Sequence, residues 1–180
     1  YEKICLERGD ISFKDYFEVK PHMLQILDRL DSLNRKKHLS HIDCVFDNYL
    51  FIDENTTRLI DWEYSGMAAP LIDIAMCSIY SYLEKDEIDR LLDIYIFSKS
   101  NPDADEMGFD YEQNKTDLFG AVDPVQRHIV YSYVALSGFL WALWTVYKSS
   151  FGETFGEYSL KMYRYSKDFY KILLDEGFFV

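Results

Sequence analysis

The fold is decided by the stretch His41-Ile42-Asp43-Cys44-Val45-Phe46-Asp47-Asn48 and by Leu59-Ile60-Asp61-Trp62-Glu63 shortly after it. The first reads H-x-D-x-x-x-x-N, with an acid and an amide five residues apart across a loop. Phosphoryl transfer asks little covalent chemistry of a protein. It needs a carboxylate that orients the attacking hydroxyl and oxygen ligands for Mg²⁺. Asp43 suits the first task and the Asn48 side-chain carbonyl the second. Asp61, delivered by an apolar strand, suits a second metal carboxylate. His41 sits in the same loop as a second candidate catalytic residue, its ring expected chiefly to shape the backbone by hydrogen bonding. The same residues also fit plainer roles: an Asx turn at Asp43, a strand start at Asn48, a turn acid at Asp61. Asp47 reads as a solvated loop acid. Glu63 fits either an exposed acid or a residue that reaches metal through water.

Outward from this centre the pattern is mainly helical. Pro21 to Leu33 has Pro at a first helical position and a stripe of Leu24, Ile26, Leu27, Leu30 and Leu33, with Arg35, Lys36 and Lys37 as a basic stop. A loop over 39–47 precedes two strand-like runs, Asn48 to Ile52 and Arg58 to Trp62. Residues 53–57 between them have hairpin-turn composition. After Pro70 a helix is expected on Leu71, Ile72, Ala75, Met76, Ile79 and Leu83, and another over Asp86 to Phe97 with Leu91, Leu92 and Ile94 in its core. Asn101 to Gln113 reads as an acidic surface loop. Asp123-Pro124 is an N-cap with Pro at the first position of a helix reaching Tyr147, apolar nearly all round and therefore central. Gly152 and Gly156 precede a last amphipathic helix, Glu157 to Leu174. The fold class expected is mainly α (α+β), with one short hairpin carrying the metal site.

Composition narrows the function. The chain has 180 residues, a length that suits one domain, and 48% of them are apolar, too many for a disordered chain. A formal charge of −12 argues against nucleic acid or an anionic membrane surface as the partner and is compatible with a cationic substrate. No apolar run reaches about 18 residues, so no membrane span is expected, and no signal-peptide pattern opens the chain. Cys5, Cys44 and Cys77 are scattered and form no C-x-x-C pair, which points away from metal clusters and disulfides and toward a reduced, cytoplasmic setting. Trp141 and Trp144 stand three apart on one helix face. Spacing alone favours a core role for both, and Tyr80 and Tyr82 read as core or rim residues.

With these segments in view, the chain resembles the choline/ethanolamine kinase branch of the aminoglycoside-phosphotransferase-like and protein kinase-like superfamily, in particular bacterial choline kinases that supply phosphocholine to surface glycans. The matching stretches are His41 to Asn48, Leu59-Ile60-Asp61-Trp62-Glu63-Tyr64-Ser65-Gly66, Asp73-Ile74-Ala75 and Phe139 to Trp144. The resemblance implies the helical C-terminal lobe of a kinase-like fold over 1–180. It implies Asp43 as catalytic base, Asn48 and Asp61 as Mg²⁺ ligands, and ATP as co-substrate. It assigns Tyr64, Trp141 and Trp144, more loosely Tyr158, and Glu63 nearby, to the choline site. It gives Asp73 a structural role behind the loop that follows the metal site. Quaternary ammonium has no N–H to donate, so aromatic faces are its natural host, each contact contributing about 0.5–2 kcal/mol. The family's N-terminal lobe, with its phosphate-covering loop and strand lysine, has no counterpart here: no Gly-rich loop precedes a strand lysine, and Lys3 lacks that context. The fragment alone is therefore expected to be inactive. Alternatives are ethanolamine or aminoglycoside phosphorylation, or a non-catalytic choline-binding, pseudokinase-like module.

Overall fold

The computed structural model describes residues 1–9, 11–33, 36–69, 71–101 and 122–180. Among them run α1 (Glu2–Arg8), α2 (Tyr16–Ser32), β1 (His38–Ser40), β2 (Tyr49–Asp53), β3 (Thr56–Leu59), β4 (Gly66–Ala68), α3 (Leu71–Tyr80), α4 (Lys85–Ser100), α5 (Pro124–Ser149) and α6 (Tyr158–Asp175). The expected surface loop falls outside the described residues apart from Asn101, as do Pro70 and Arg35.

The mainly helical expectation holds, with the predicted hairpin at β2–β3. Its register runs Tyr49↔Leu59, Leu50↔Arg58 and Phe51↔Thr57, then slips at Asp53, which pairs with Thr56. Asp53 Oδ1 accepts from the Asn55 amide at 2.9 Å, an Asx turn that closes the tight connection. The second strand ends at Leu59 rather than Trp62. A second antiparallel ladder joins β1 to β4, with Leu39 opposite Met67, where sequence reading placed a loop. Its strands have three residues each and pair across nearly thirty positions, so neither shows a period of its own.

Helix α2 begins before Pro21, which lies inside it. Its core face is Tyr16, Val19, Met23, Ile26 and Leu30, while Leu24 and Leu27 of the expected stripe are exposed. Tyr16 stacks on Phe139 of α5 with centroids 5.2 Å apart, a tertiary contact that favours an earlier start. Helix α4 opens with a reciprocal capping box between Glu84 and Glu87. It buries Ile88 and Leu92 completely, whereas Leu91 and Ile94 are half-buried. Its buried acids Asp89 and Asp93 both meet Arg127 of α5, at 2.9 and 2.5 Å, and Tyr131 donates to Asp89. This pairing is what allows charge at that depth.

Asp123 caps α5 as expected, accepting from the Val125 amide at 2.9 Å. By length and composition α5 could cross a membrane, but 61% of its most apolar stretch is buried within the fold. Ile129, Val130, Val134, Ala135 and Ala142 are fully enclosed, packed among α3, α6 and their neighbours. It is the central core helix. Gly138 lets α6 approach closely: a Cβ there would stand 2.6 Å from the Met162 carbonyl oxygen and 2.8 Å from Tyr165 Cβ.

Candidate active site

The site begins where β1 ends. His41 is 1% exposed, and its Nε2 lies 2.8 Å from the Ile60 carbonyl, a bond in which the ring N–H donates. The Trp62 ring meets it edge-on at 4.8 Å. His41 thus ties the loop to the end of the hairpin, the shaping role expected of it. Ile42 has φ 72°, unusual for a β-branched residue. Such backbone persists only where neighbours over-determine it. Here Asp73, in the first turn of α3, accepts from the His41 amide at 3.0 Å and the Ile42 amide at 2.8 Å. Asp73 therefore holds the backbone just before Asp43, not the loop after the metal site.

Asp43 comes next, half-buried. Its Oδ1 accepts from the Tyr80 hydroxyl at 3.0 Å. Asn48, 8% exposed at the end of a single 3₁₀ turn (Phe46–Asn48), donates its Nδ2 to the Asp43 backbone carbonyl at 2.9 Å and to Oδ2 at 3.3 Å. Those bonds commit the amide nitrogen and leave its oxygen as the atom that could face a cation. The Ile60 amide donates to the Asn48 carbonyl at 2.9 Å. Asp61 follows directly, exposed and with φ 62°. Its backbone is thus anchored beside both Asn48 and His41. Among the described residues no cluster of three or more His, Cys, Asp or Glu could hold a metal. A metal here would rest on Asn48 and Asp61 with substrate and water oxygens. That all-oxygen donor set fits Mg²⁺, which keeps several waters and takes few protein ligands.

Above Asp43 stand aromatic rings. Tyr80 lies 5.9 Å from Trp141, Trp141 meets Trp144 at 5.3 Å and 85°, and Trp144 meets Phe155 at 5.1 Å. Tyr158, the first residue of α6, sits 6.4 Å from the Tyr82 ring. Burial, then the Tyr82 phenol and the Asp43 charge, push the Tyr158 phenol up to about 12. Trp141 and Trp144, for which spacing alone favoured the core, are half-buried and linked through Tyr80 to Asp43. The indole Nε1 of Trp141 is buried without a hydrogen-bond partner among the described residues. Tyr64 and Glu63 differ: they occupy the exposed turn after Trp62, and Tyr64 is 60% exposed. Asp47 is exposed as expected. Behind the loop, burial and then the Asp73 charge push the Cys44 thiol up to about 12, so it is an inert packing group.

Sequence reading missed Phe155 and gave Tyr80, a further candidate, a core or rim place. Phe155 follows no pattern that marks it. Tyr80 left a trace: it stands seven residues after Asp73, and two turns of helix return it to the same face.

The profile of the family described as "Phosphotransferase enzyme family" matches residues 7–109, more than half of the chain. A curated relative, Protein LicA of Haemophilus influenzae, is 33% identical over 121 residues, covering 67% of this chain and 39% of the relative. Among solved structures, the choline kinase LicA from Streptococcus pneumoniae superposes with a TM-score of 0.65 at 24% identity, over 94% of this chain and 54% of that one. A choline/ethanolamine kinase family protein from Mesorhizobium loti gives 0.73 at 20% identity, over 97% and 53%. At these identities the two superpositions establish a shared fold. The chain spans about two fifths of the curated relative and about half of each solved chain.

Proposed function

The chain belongs to the phosphotransferase enzyme family, and from that premise we propose that it is the substrate-binding lobe of an ATP-dependent kinase acting on choline. Its fold is that of the helical lobe of a kinase-like protein. One observation carries the reading: the Asp43 carboxylate, gripped by Asn48 and Tyr80, lies at the foot of the Trp141–Trp144 aromatic cluster. In this reading the trimethylammonium group rests on Trp141, Trp144 and Tyr158, stabilised by cation–π attraction. Its hydroxyl then reaches Asp43, which accepts the proton as the alcohol oxygen bonds to the γ-phosphorus and the bond to the ADP oxygen breaks. Asn48 and Asp61 would hold Mg²⁺, which neutralises charge on the phosphates. Tyr64 and Glu63 take rim positions.

The ATP-binding lobe belongs elsewhere in the protein, and the 180 residues alone are inactive in this reading. An exposed apolar surface on the two ladders, with Leu39 opposite Met67 and Phe46 beside Phe51, gives such a lobe a place to pack. A reduced, cytoplasmic setting accords with free Cys5, Cys44 and Cys77.

In the full protein, Asp43→Ala and Asp61→Ala should each lower kcat for choline at least about 100-fold. Retention of more than about a tenth of unmodified turnover by either would remove that residue from its role. Ethanolamine competing as well as choline would move the substrate assignment. Calorimetry on this chain separates a kinase lobe from a bare choline-binding module: the module binds choline with no further change when its partner lobe and Mg-ATP are supplied.

A further inference from the structure

Helix α3 carries two polar side chains to the catalytic loop from one face. Asp73 fixes the loop backbone through the His41 and Ile42 amides. Two turns later Tyr80 places its hydroxyl on Asp43 Oδ1 at 3.0 Å. The other carboxylate oxygen meets Asn48 Nδ2 at 3.3 Å. Each oxygen of Asp43 thus has its own holder, so rotation of the carboxylate about its terminal torsion, otherwise broad, is restrained. The Tyr80 ring in turn lies 5.9 Å from Trp141, which fixes where the phenol can stand.

We infer that Tyr80 is a positioning residue for phosphoryl transfer: its closer bond occupies Oδ1, so that Oδ2, which meets Asn48 Nδ2 only at 3.3 Å and keeps a second lone pair, is presented to the substrate hydroxyl. Tyr80 also couples that orientation to the aromatic wall that receives the cation. The inference rests on the reading of Asp43 as the base given above. A base that accepts a proton in flight must meet it along a narrow approach, and a carboxylate free to spin presents that approach only part of the time. Tyr80 is suited to be a permanent donor. Burial first, then the charge and hydrogen bond of Asp43, raise its phenol far above the usual tyrosine range, so it keeps its proton at any working pH. The bond is charge-assisted, the stronger kind. The ring does separate work. It meets Trp141 whether or not the hydroxyl is present, so binding and orientation can be divided by one oxygen atom.

Tyr80→Phe makes that division. In the full protein assayed with choline and Mg-ATP, kcat should fall about 10- to 100-fold while KM for choline stays within about twofold. Tyr80→Ala should raise KM as well, because it also strips the ring from Trp141. A Tyr80→Phe kcat within about twofold of the unmodified protein overturns the assignment, and so does a rise in KM that accounts for the whole loss. A second measurement needs no turnover. Proton NMR of the 180-residue chain should show the Tyr80 hydroxyl as a slowly exchanging signal, identified by its loss in Tyr80→Phe. That signal should also vanish in Asp43→Ala. Its persistence there, or its absence from the unmodified chain, overturns the inference. Should the unmodified protein fail to phosphorylate choline, the substrate reading falls, and the hydroxyl signal alone decides whether Tyr80 holds Asp43.

Discussion

Asp73 illustrates how much one side chain can determine. Its two oxygens accept the amides of His41 and Ile42, and Ile42 stands at φ 72°, a conformation L residues with branched side chains rarely adopt. Asp73→Ala leaves both amides without an acceptor and removes the restraint that holds the unusual backbone. Hydrogen bonds to charged groups contribute about 1.5–3 kcal/mol, so unfolding in urea should show a loss of about 2 kcal/mol or more. Asp73→Asn, which keeps one carbonyl acceptor, should lose less. Equal stabilities for the two variants and the unmodified chain would mean that the loop holds its shape unaided. At this scale the sequence was informative about Asp43, Asn48 and His41, which lie on one short loop and carry their geometry in their spacing. Asp73 was recognised as structural but assigned to the wrong side of the site. The distance between it and His41 along the chain carries no geometry; only packing of α3 against the loop supplies it.

Elements met their expected identities more faithfully than their edges. The cap at Asp123 and the hairpin turn are set by local side-chain-to-backbone hydrogen bonds; the cap appears as expected, and the turn expected over 53–57 narrows to Glu54-Asn55. The start of α2 and the β1–β4 ladder are set by distant contacts, and both escaped the sequence pattern. The α5–α6 contact shows why local rules give way. Glycine inside a helix costs about 1 kcal/mol relative to alanine, and Gly138 sits near the middle of α5. Its missing Cβ brings the Met162 carbonyl within 2.6 Å of where that atom would be. Gly138→Ala gains helix propensity but must force α6 outward. The second effect should win, with a net loss of about 1–3 kcal/mol. Thermal unfolding should register this as a Tm lowered by several degrees. An unchanged or higher Tm would show that the two helices separate at little cost. Because α6 begins with Tyr158, the same shift should loosen the aromatic cluster.

Among the described residues α5 carries many of the fully buried side chains, while the β2–β3 hairpin exposes a run of apolar ones. Val130, Val134, Ala135 and Ala142 are fully enclosed, whereas Leu50, Phe51 and Ile52 are 49%, 61% and 50% exposed. Hydrogen exchange should follow this gradient. The amides of the enclosed α5 residues should open only with global unfolding, and those of the β2–β3 hairpin should exchange at least about 100-fold faster. Comparable rates would mean that α5 is not the centre of the core. An apolar helix of this length is open to two readings from composition alone, and its packing against α3 and α6 selects the core one. The sequence by itself determined the helical class, the hairpin, and the pairing of Asp43 with Asn48 on one short loop. Each depends on residues close in the chain, where backbone geometry converts spacing directly into position. Tertiary structure alone decided that Tyr80 reaches Asp43, that Trp141 and Trp144 are half-buried with Trp141 beside the Tyr80 ring, and that Tyr64 stays at the surface. These relations join α3, α5, α6 and the loop after the hairpin. Side chains far apart in sequence acquire a distance only when the helices that carry them compete for the same buried space.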